Sequence, residues 1–104
     1  MKQPIIYKEA QIRLGEIWDY TLEHWGEEQA DRYLRELGAC MAGIASQRHL
    51  WRSVQDRRLS GVFFVRYRHH FIFFRQIGEQ VAVISILHEN MDIVQRLRDD
   101  VTEG

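Results

Sequence analysis

The chain has 104 residues, of which 45% are hydrophobic, with one proline, one cysteine and a formal net charge of −1. That length accommodates a single two-layer domain and excludes a cofactor domain joined to a substrate domain. The apolar runs are too short to cross a bilayer and no basic segment followed by an apolar stretch opens the chain. A cytoplasmic protein with no membrane association is therefore expected. Cys40 has no partner, which excludes an internal disulfide and suits a reducing compartment.

In chain order, Pro4-Ile5-Ile6-Tyr7 reads as a short strand with proline at its edge, where a missing N–H is tolerated. Ala10, Leu14, Ile17, Trp18, Thr21 and Trp25 then recur three and four apart, one face of an amphipathic helix. Gly26 stops that helix, and Glu27 and Glu28 fall in the first turn of the next, where negative charge suits the helix dipole. Ala30, Tyr33, Leu34, Leu37, Met41 and Ile44 continue the spacing, so residues 8–46 predict an antiparallel helical hairpin.

Residues 47–60 lose periodicity and read as a loop. Three strands rich in β-branched and aromatic residues follow: 62–67, 71–75 and 81–87. The separators Arg68-His69-His70 and Ile77-Gly78-Glu79-Gln80 are short enough for consecutive antiparallel hairpins. A short helix over 91–98 closes the chain, with Asn90 or Asp92 as its cap. The expected fold class is α+β: an N-terminal strand, a helical hairpin packed on a mainly antiparallel sheet with a three-strand meander, and a short C-terminal helix.

The charges are segregated along the chain. Residues 9–36 hold eight acids against three arginines, a balance of −5, whereas residues 48–75 hold seven arginines against Asp56 alone, a balance of +6. The basic half would draw a polyanion or an acidic protein segment. Helices and strands that merely carry these charges on solvated faces give the same count.

The matching stretches are Ile17-Trp18-Asp19-Tyr20, Trp25-Gly26, Gln29-Ala30, Tyr33, Gly61-Val62, His70-Phe71-Ile72-Phe73-Phe74-Arg75, and Ile86-Leu87-His88 with Met91-Asp92. In this order they resemble the RelE/ParE superfamily of bacterial toxins from type II toxin–antitoxin modules, and within it the ParE branch. The resemblance covers nearly the whole chain and implies one toxin domain over residues 1–104. It implies a toxin that binds DNA gyrase and traps its cleaved DNA complex, neutralised by a cognate ParD-like antitoxin, with no cofactor and no catalytic group. The chain departs from ParE-like sequences at Phe63, where an arginine often stands, and at Arg13, where the first helix often carries an aspartate.

The RelE branch supplies the alternative, a ribosome-dependent mRNA endoribonuclease. Such enzymes polarise phosphate and move protons with arginines, lysines and often a C-terminal tyrosine or histidine. Arg66, His70 and Arg75 suit part of that work. After His88, however, the chain has no tyrosine, lysine or histidine, only Arg96 and Arg98. An inactive form that only titrates an antitoxin is a third reading, raised by Phe63.

Other chemistry finds little support. Adjacent His69 and His70 on a strand point to opposite faces and, with His88, find no second carboxylate or cysteine at ligand spacing, so no metal is expected. Ser85 and His88 fall on opposite strand faces and Cys40 lies in a core-facing stripe, which leaves no nucleophile with a base. The glycines are isolated and build no phosphate loop.

Binding residues are then assigned by type. Trp18, Trp25 and Tyr33 read as core, with an exposed aromatic among them as a partner anchor. Trp18, Trp25, Arg66 and Arg68 are the expected antitoxin contacts. Met91, Ile93 and Leu97, flanked by Arg96 and Arg98, form the expected target-binding face. His88 to Asp92 reads first as a strand end and helix cap, with His88 bonded to neighbouring backbone.

Overall fold

A computed structural model describes residues 3–103. β1 (Ile5–Ile6) leads into α1 (Lys8–Trp25) and α2 (Glu27–Gly43), the predicted hairpin. Gly26 alone joins the two helices. Its N–H donates to the Leu22 carbonyl and its own carbonyl accepts from Ala30, both at 3.0 Å, so one residue ends α1 and begins α2. This double duty requires φ +93° with ψ 170°, a region essentially reserved for glycine. Gly26→Ala is expected to cost about 1–3 kcal/mol in chemical denaturation although nothing obstructs the added methyl group, because the strain is in the backbone.

The segment after α2 is more ordered than its sequence suggests. Short 3₁₀ turns at Ile44–Ser46, Arg48–Leu50 and Arg57–Leu59 flank β2 (Arg52–Ser53). That strand pairs antiparallel with Phe63 and Phe64, which corrects the loop expectation for 47–60. Two exposed polar residues carry no alternation, so only the pairing reveals the strand.

β3 (Phe63–Tyr67), β4 (His70–Ile77) and β5 (Gln80–His88) form the predicted meander, with His70 inside β4 and not in the turn. The sheet order is β1-β5-β4-β3-β2, and β1 runs parallel to β5 with Ile5 opposite Ala82. One irregularity matters. Phe74 pairs with Val83 but Phe73 pairs with Ser85, so Ile84 is an extra residue on β5 and the register shifts by one beyond it. α3 spans Ile93–Glu103, starting later and running further than the 91–98 expected. Asp92 precedes it, and its carbonyl accepts from Arg96 N–H.

Strand alternation divides the core into two layers. Ala10, Ile17, Leu37 and Met41 of the hairpin pack on Val65, Ile72, Phe74, Val83 and Ile86 of the sheet's near face. Leu97 of α3 packs with Leu59, Val62, Phe73, Ile84 and Leu87 on the far face. Each such side chain, fully buried, contributes about 1.5–3 kcal/mol of transfer free energy. Phe63, one of the two departures, belongs to the near layer beside Trp51 and Phe74, with ring centroids 5.4 and 6.0 Å away. Arg13, the other, reaches α3: its Nε and Nη2 donate to the Asp100 carboxylate at 3.0 Å each, and Ser85 Oγ donates to the same carboxylate at 2.5 Å.

Candidate functional site

A cleft of about 980 Å³ opens where the hairpin faces the β3–β4 turn and the chain between β5 and α3. Tyr20 and Trp25 from the end of α1 form one wall, with Gln29 from α2. Met91 and Arg96 form the other, and Tyr33, His70, His88 and Ile86 lie between. The solvent face is apolar in places where most surfaces are not: Tyr20 is 60% exposed, Trp25 65% and Met91 38%.

The floor is a hydrogen-bonded aromatic group. Tyr33 Oη and His70 Nδ1 are hydrogen-bonded at 2.7 Å, and the two rings meet edge to face at 5.6 Å. His88 stands opposite His70 in the sheet register, with ring centroids 5.1 Å apart. Asn90 N–H donates to His88 Nδ1 at 3.1 Å, which places the proton of the neutral imidazole on Nε2. Burial, and secondarily the charges of His88 and His69, pushes the His70 pKa down to about 4. Burial followed by Tyr67 pushes the Tyr33 hydroxyl up to about 12. Near neutrality both groups are uncharged.

The rim carries the ion pairs. Tyr67 Oη donates to Glu36 at 2.6 Å, which together with Arg68 holds the Glu36 carboxyl below its ordinary range. Glu89 accepts from His69 Nδ1 at 3.0 Å and from Arg66, and the His69 bond is the largest cause of its lowered pKa. Arg68 occupies the two-residue turn between β3 and β4 at φ +53°, a strained choice for a side-chain-bearing residue. The turn is braced by Arg66 Nε donating to the Arg68 carbonyl at 2.7 Å and by Arg68 approaching Glu36 at 3.5 Å.

The expected site residues are thus sorted by the fold. Trp25 and Arg68 of the antitoxin set line the cleft, together with Met91 and Arg96 of the target set. Trp18 is half-buried on α1 and is not part of the lining. Arg66 and Arg68 do not share a face. Arg66 lies over Phe71 on the far side, and Arg68 turns back toward α2. Leu97 is only 1% exposed and docks α3 on the sheet, and Ile93, half-buried, packs beside it. Arg98 pairs with Asp56 at 2.6 Å, tying α3 to the turn before β3.

The nuclease trio is not assembled. His70 shares the near face with Ile72 and Phe74, whereas Arg66 and Arg75 share the far face with Phe71 and Phe73. Among the described residues no group of three or more His, Cys, Asp or Glu is placed to hold a metal ion. No helix among the described residues is long and apolar enough to cross a membrane. The Tyr33–His70–His88 group was not expected from sequence. Its signal would have been the hairpin register, which the extra residue Ile84 alters.

The α+β layout with a hairpin on a five-stranded sheet recurs in solved structures. A chain of the chromosomal ParDE TA system from P. aeruginosa superposes with a TM-score of 0.70 at 17% identity, covering 85% of this chain and 96% of that one. A chain of the RelBE2 toxin–antitoxin complex from Mycobacterium tuberculosis gives 0.62 at 14% identity, covering 83% and 88%. Residues 5–93 match the family model described as ParE toxin of type II toxin-antitoxin system, parDE. Toxin ParE1 of Mycobacterium tuberculosis is 36% identical over 85% of this chain and 90% of its own length. Toxin ParE of Escherichia coli is 32% identical over 91% and 92%. The chain belongs to the ParE toxin family of type II toxin–antitoxin systems.

Proposed function

We propose that the chain inhibits DNA gyrase by binding and trapping its cleaved DNA complex, that it does so in the cytoplasm by binding alone, and that a ParD-like antitoxin neutralises it. The family match over residues 5–93 carries this reading. The geometry supports the non-catalytic part, because the arginines suited to phosphate lie on the far face and the histidine suited to proton transfer on the near one. A protein can poison an enzyme without chemistry if it binds one intermediate more tightly than the others.

Met91 and Arg96, exposed at the mouth of the cleft, are the proposed target contacts. Deleting α3 would not test them, since Leu97 and Asp100 are part of the buried structure. The informative variants are Met91→Glu and Arg96→Glu. In a supercoiling and cleavage assay with purified gyrase and ATP, the wild-type chain is expected to stop supercoiling and accumulate linear DNA, and each variant to need about tenfold more protein. Ribosome-bound message should stay intact under the same exposure. Undiminished supercoiling with the wild-type chain would overturn the gyrase reading, and codon-specific cleavage lost with His70→Ala would replace it with the nuclease.

A further inference from the structure

The basic segment of residues 48–75 divides in space, and only part of it is free. Arg66 is held by Glu89, Arg68 approaches Glu36, and Arg75 is half-buried on the far face. Arg48, Arg52, Arg57 and Arg58 are exposed and make no ion pair among the described residues. All four lie on the turn, strand and turn of residues 48–59, whose strand β2 is the last of the sheet. Asp56 is the sole acid between Glu36 and Glu79. Its carboxylate is engaged by Arg98 and by the Arg58 N–H, and its side chain is only 15% exposed. The segment is fixed without those four side chains. Trp51 Nε1 donates to the Ile44 carbonyl at 2.9 Å, Val54 N–H donates to Val62 at 3.1 Å, and Leu59 is buried in the far layer. Between the arginines stand Gln47, His49, Ser53 and Gln55, all exposed and all able to donate to an oxygen acceptor.

That composition selects the partner. Arginines interleaved with serine and glutamine are the groups that hold phosphate oxygens. An acidic peptide needs apolar anchors as well, and Leu50 is the one large hydrophobic residue that this segment exposes. A single nucleic-acid strand needs aromatic faces to stack on, and Trp51 already lies under Arg48, 4.6 Å from the ring centroid. With a two-residue strand and three-residue turns, nothing here is long enough to enter a groove and read bases. The exposed acids Glu23, Glu27, Glu28 and Asp31 belong to the hairpin, so a polyanion is turned away from that layer and toward β2. None of the four arginines lines the cleft that holds Met91 and Arg96. We propose that residues 47–58 form a second binding surface, which grips the phosphate backbone of duplex DNA without reading its sequence, and that in the trapped complex the toxin holds the DNA directly as well as the enzyme. The contact in the trapped complex rests on the gyrase reading above, while DNA binding by the chain itself does not.

The test is fluorescence anisotropy of a labelled duplex of about 24 base pairs titrated with the full chain. Binding is expected at about 50 mM salt and should fall roughly a hundredfold by about 200 mM, the dependence of four neutralised phosphates. Two duplexes of unrelated sequence should bind within about threefold of each other. Arg52→Glu combined with Arg57→Glu alters exposed side chains and should weaken binding at least tenfold. Arg32→Glu combined with Arg35→Glu makes the same change of net charge on α2, also at exposed positions, and should leave binding within about threefold. No binding at the lower salt, equal binding by the β2 variant, or an equal loss in the α2 variant would overturn the surface. So would tighter binding of a single strand of the same length. If the β2 variant keeps its DNA affinity and loses the antitoxin, the surface belongs to a protein and the proposal falls. In the gyrase cleavage assay the β2 variant should need at least fivefold more protein than wild type or the α2 variant to accumulate linear DNA. Equal potency would overturn the DNA contact in the trapped complex. If the wild-type toxin leaves gyrase untouched, the gyrase reading fails by itself and the anisotropy still decides the surface.

Discussion

Asp100→Ala is expected to destabilise the chain by about 3–5 kcal/mol, the usual cost of removing one partner from a buried ion pair. The Arg13 and Asp100 side chains are only 12% and 9% exposed, and the carboxylate takes three hydrogen bonds. Its loss leaves the Arg13 Nε and Nη2 donors and the fully buried Ser85 hydroxyl without that acceptor, while Glu16 still holds Nη1. Because these groups come from α1, β5 and α3, the damage spans both layers of the fold. Urea titration should show a lower midpoint with an unchanged slope. Adding Arg13→Met to Asp100→Ala removes the half-paired charge and should recover half or more of the loss. A midpoint shift below 1 kcal/mol for Asp100→Ala would show that the network holds little of the fold's stability.

The second large effect is a loss of stability on mild acidification, centred on His70. Its folded pKa of about 4 lies below the ordinary histidine value of 6.5, so protonation favours the unfolded chain. The stabilising contribution is fully present above pH 6.5 and is lost as pH falls toward 4. The full shift corresponds to roughly 3 kcal/mol. The open side of the cleft screens the charge, which reduces the expected loss to about 1–2 kcal/mol. Denaturation curves at pH 7 and pH 5 should differ, and His70→Gln, which keeps an acceptor for Tyr33, should flatten that difference. Glu36, Asp56 and Glu89 have lowered pKa values and lose their contributions below the ordinary carboxylate range, so the window above pH 5 isolates the histidine. An identical pH dependence in the variant would assign the acid sensitivity elsewhere.

The elements most legible in the sequence were those with a period. The hairpin spacing located α1 and α2, and alternation located β3 to β5, because burial imposes those repeats. β2 had no period to show. α3 was cut short because its anchoring residues past Arg98 include Asp100, a buried acid that a reading of apolar positions passes over. Within the expected target face, apolar character alone does not sort the residues. Leu97 and Met91 are both apolar, and only the packing tells that one faces the sheet and the other solvent.

The cleft was hidden by a single residue. Counting back from the Gly78–Glu79 turn without the extra Ile84 would set Leu87 opposite His70, and His88 would point away from Tyr33. The charge segregation was real in sequence but is partly cancelled in space, since Arg68 of the basic segment meets Glu36 of the acidic one. The two departures from the family pattern also find structural roles. Phe63 fills the aromatic layer around Trp51, and Arg13 secures the C-terminal helix through Asp100.

The sheet's outer margin bears on how the molecule behaves when it is alone. β2 pairs only with Phe63 and Phe64, so the remaining three residues of β3, Val65 to Tyr67, form an uncovered margin of the sheet. An uncovered strand of β-branched and aromatic residues is a template on which identical chains can stack. Here the stretch is short, it ends in the left-handed Arg68 turn, and its middle residue is Arg66, more than half exposed and held by Glu89. A second copy laid along it would bring its own Arg66 into the same confined space, a like-charge encounter that disfavours fibre growth. A free copy of the chain is thereby disfavoured from stacking on another along this margin.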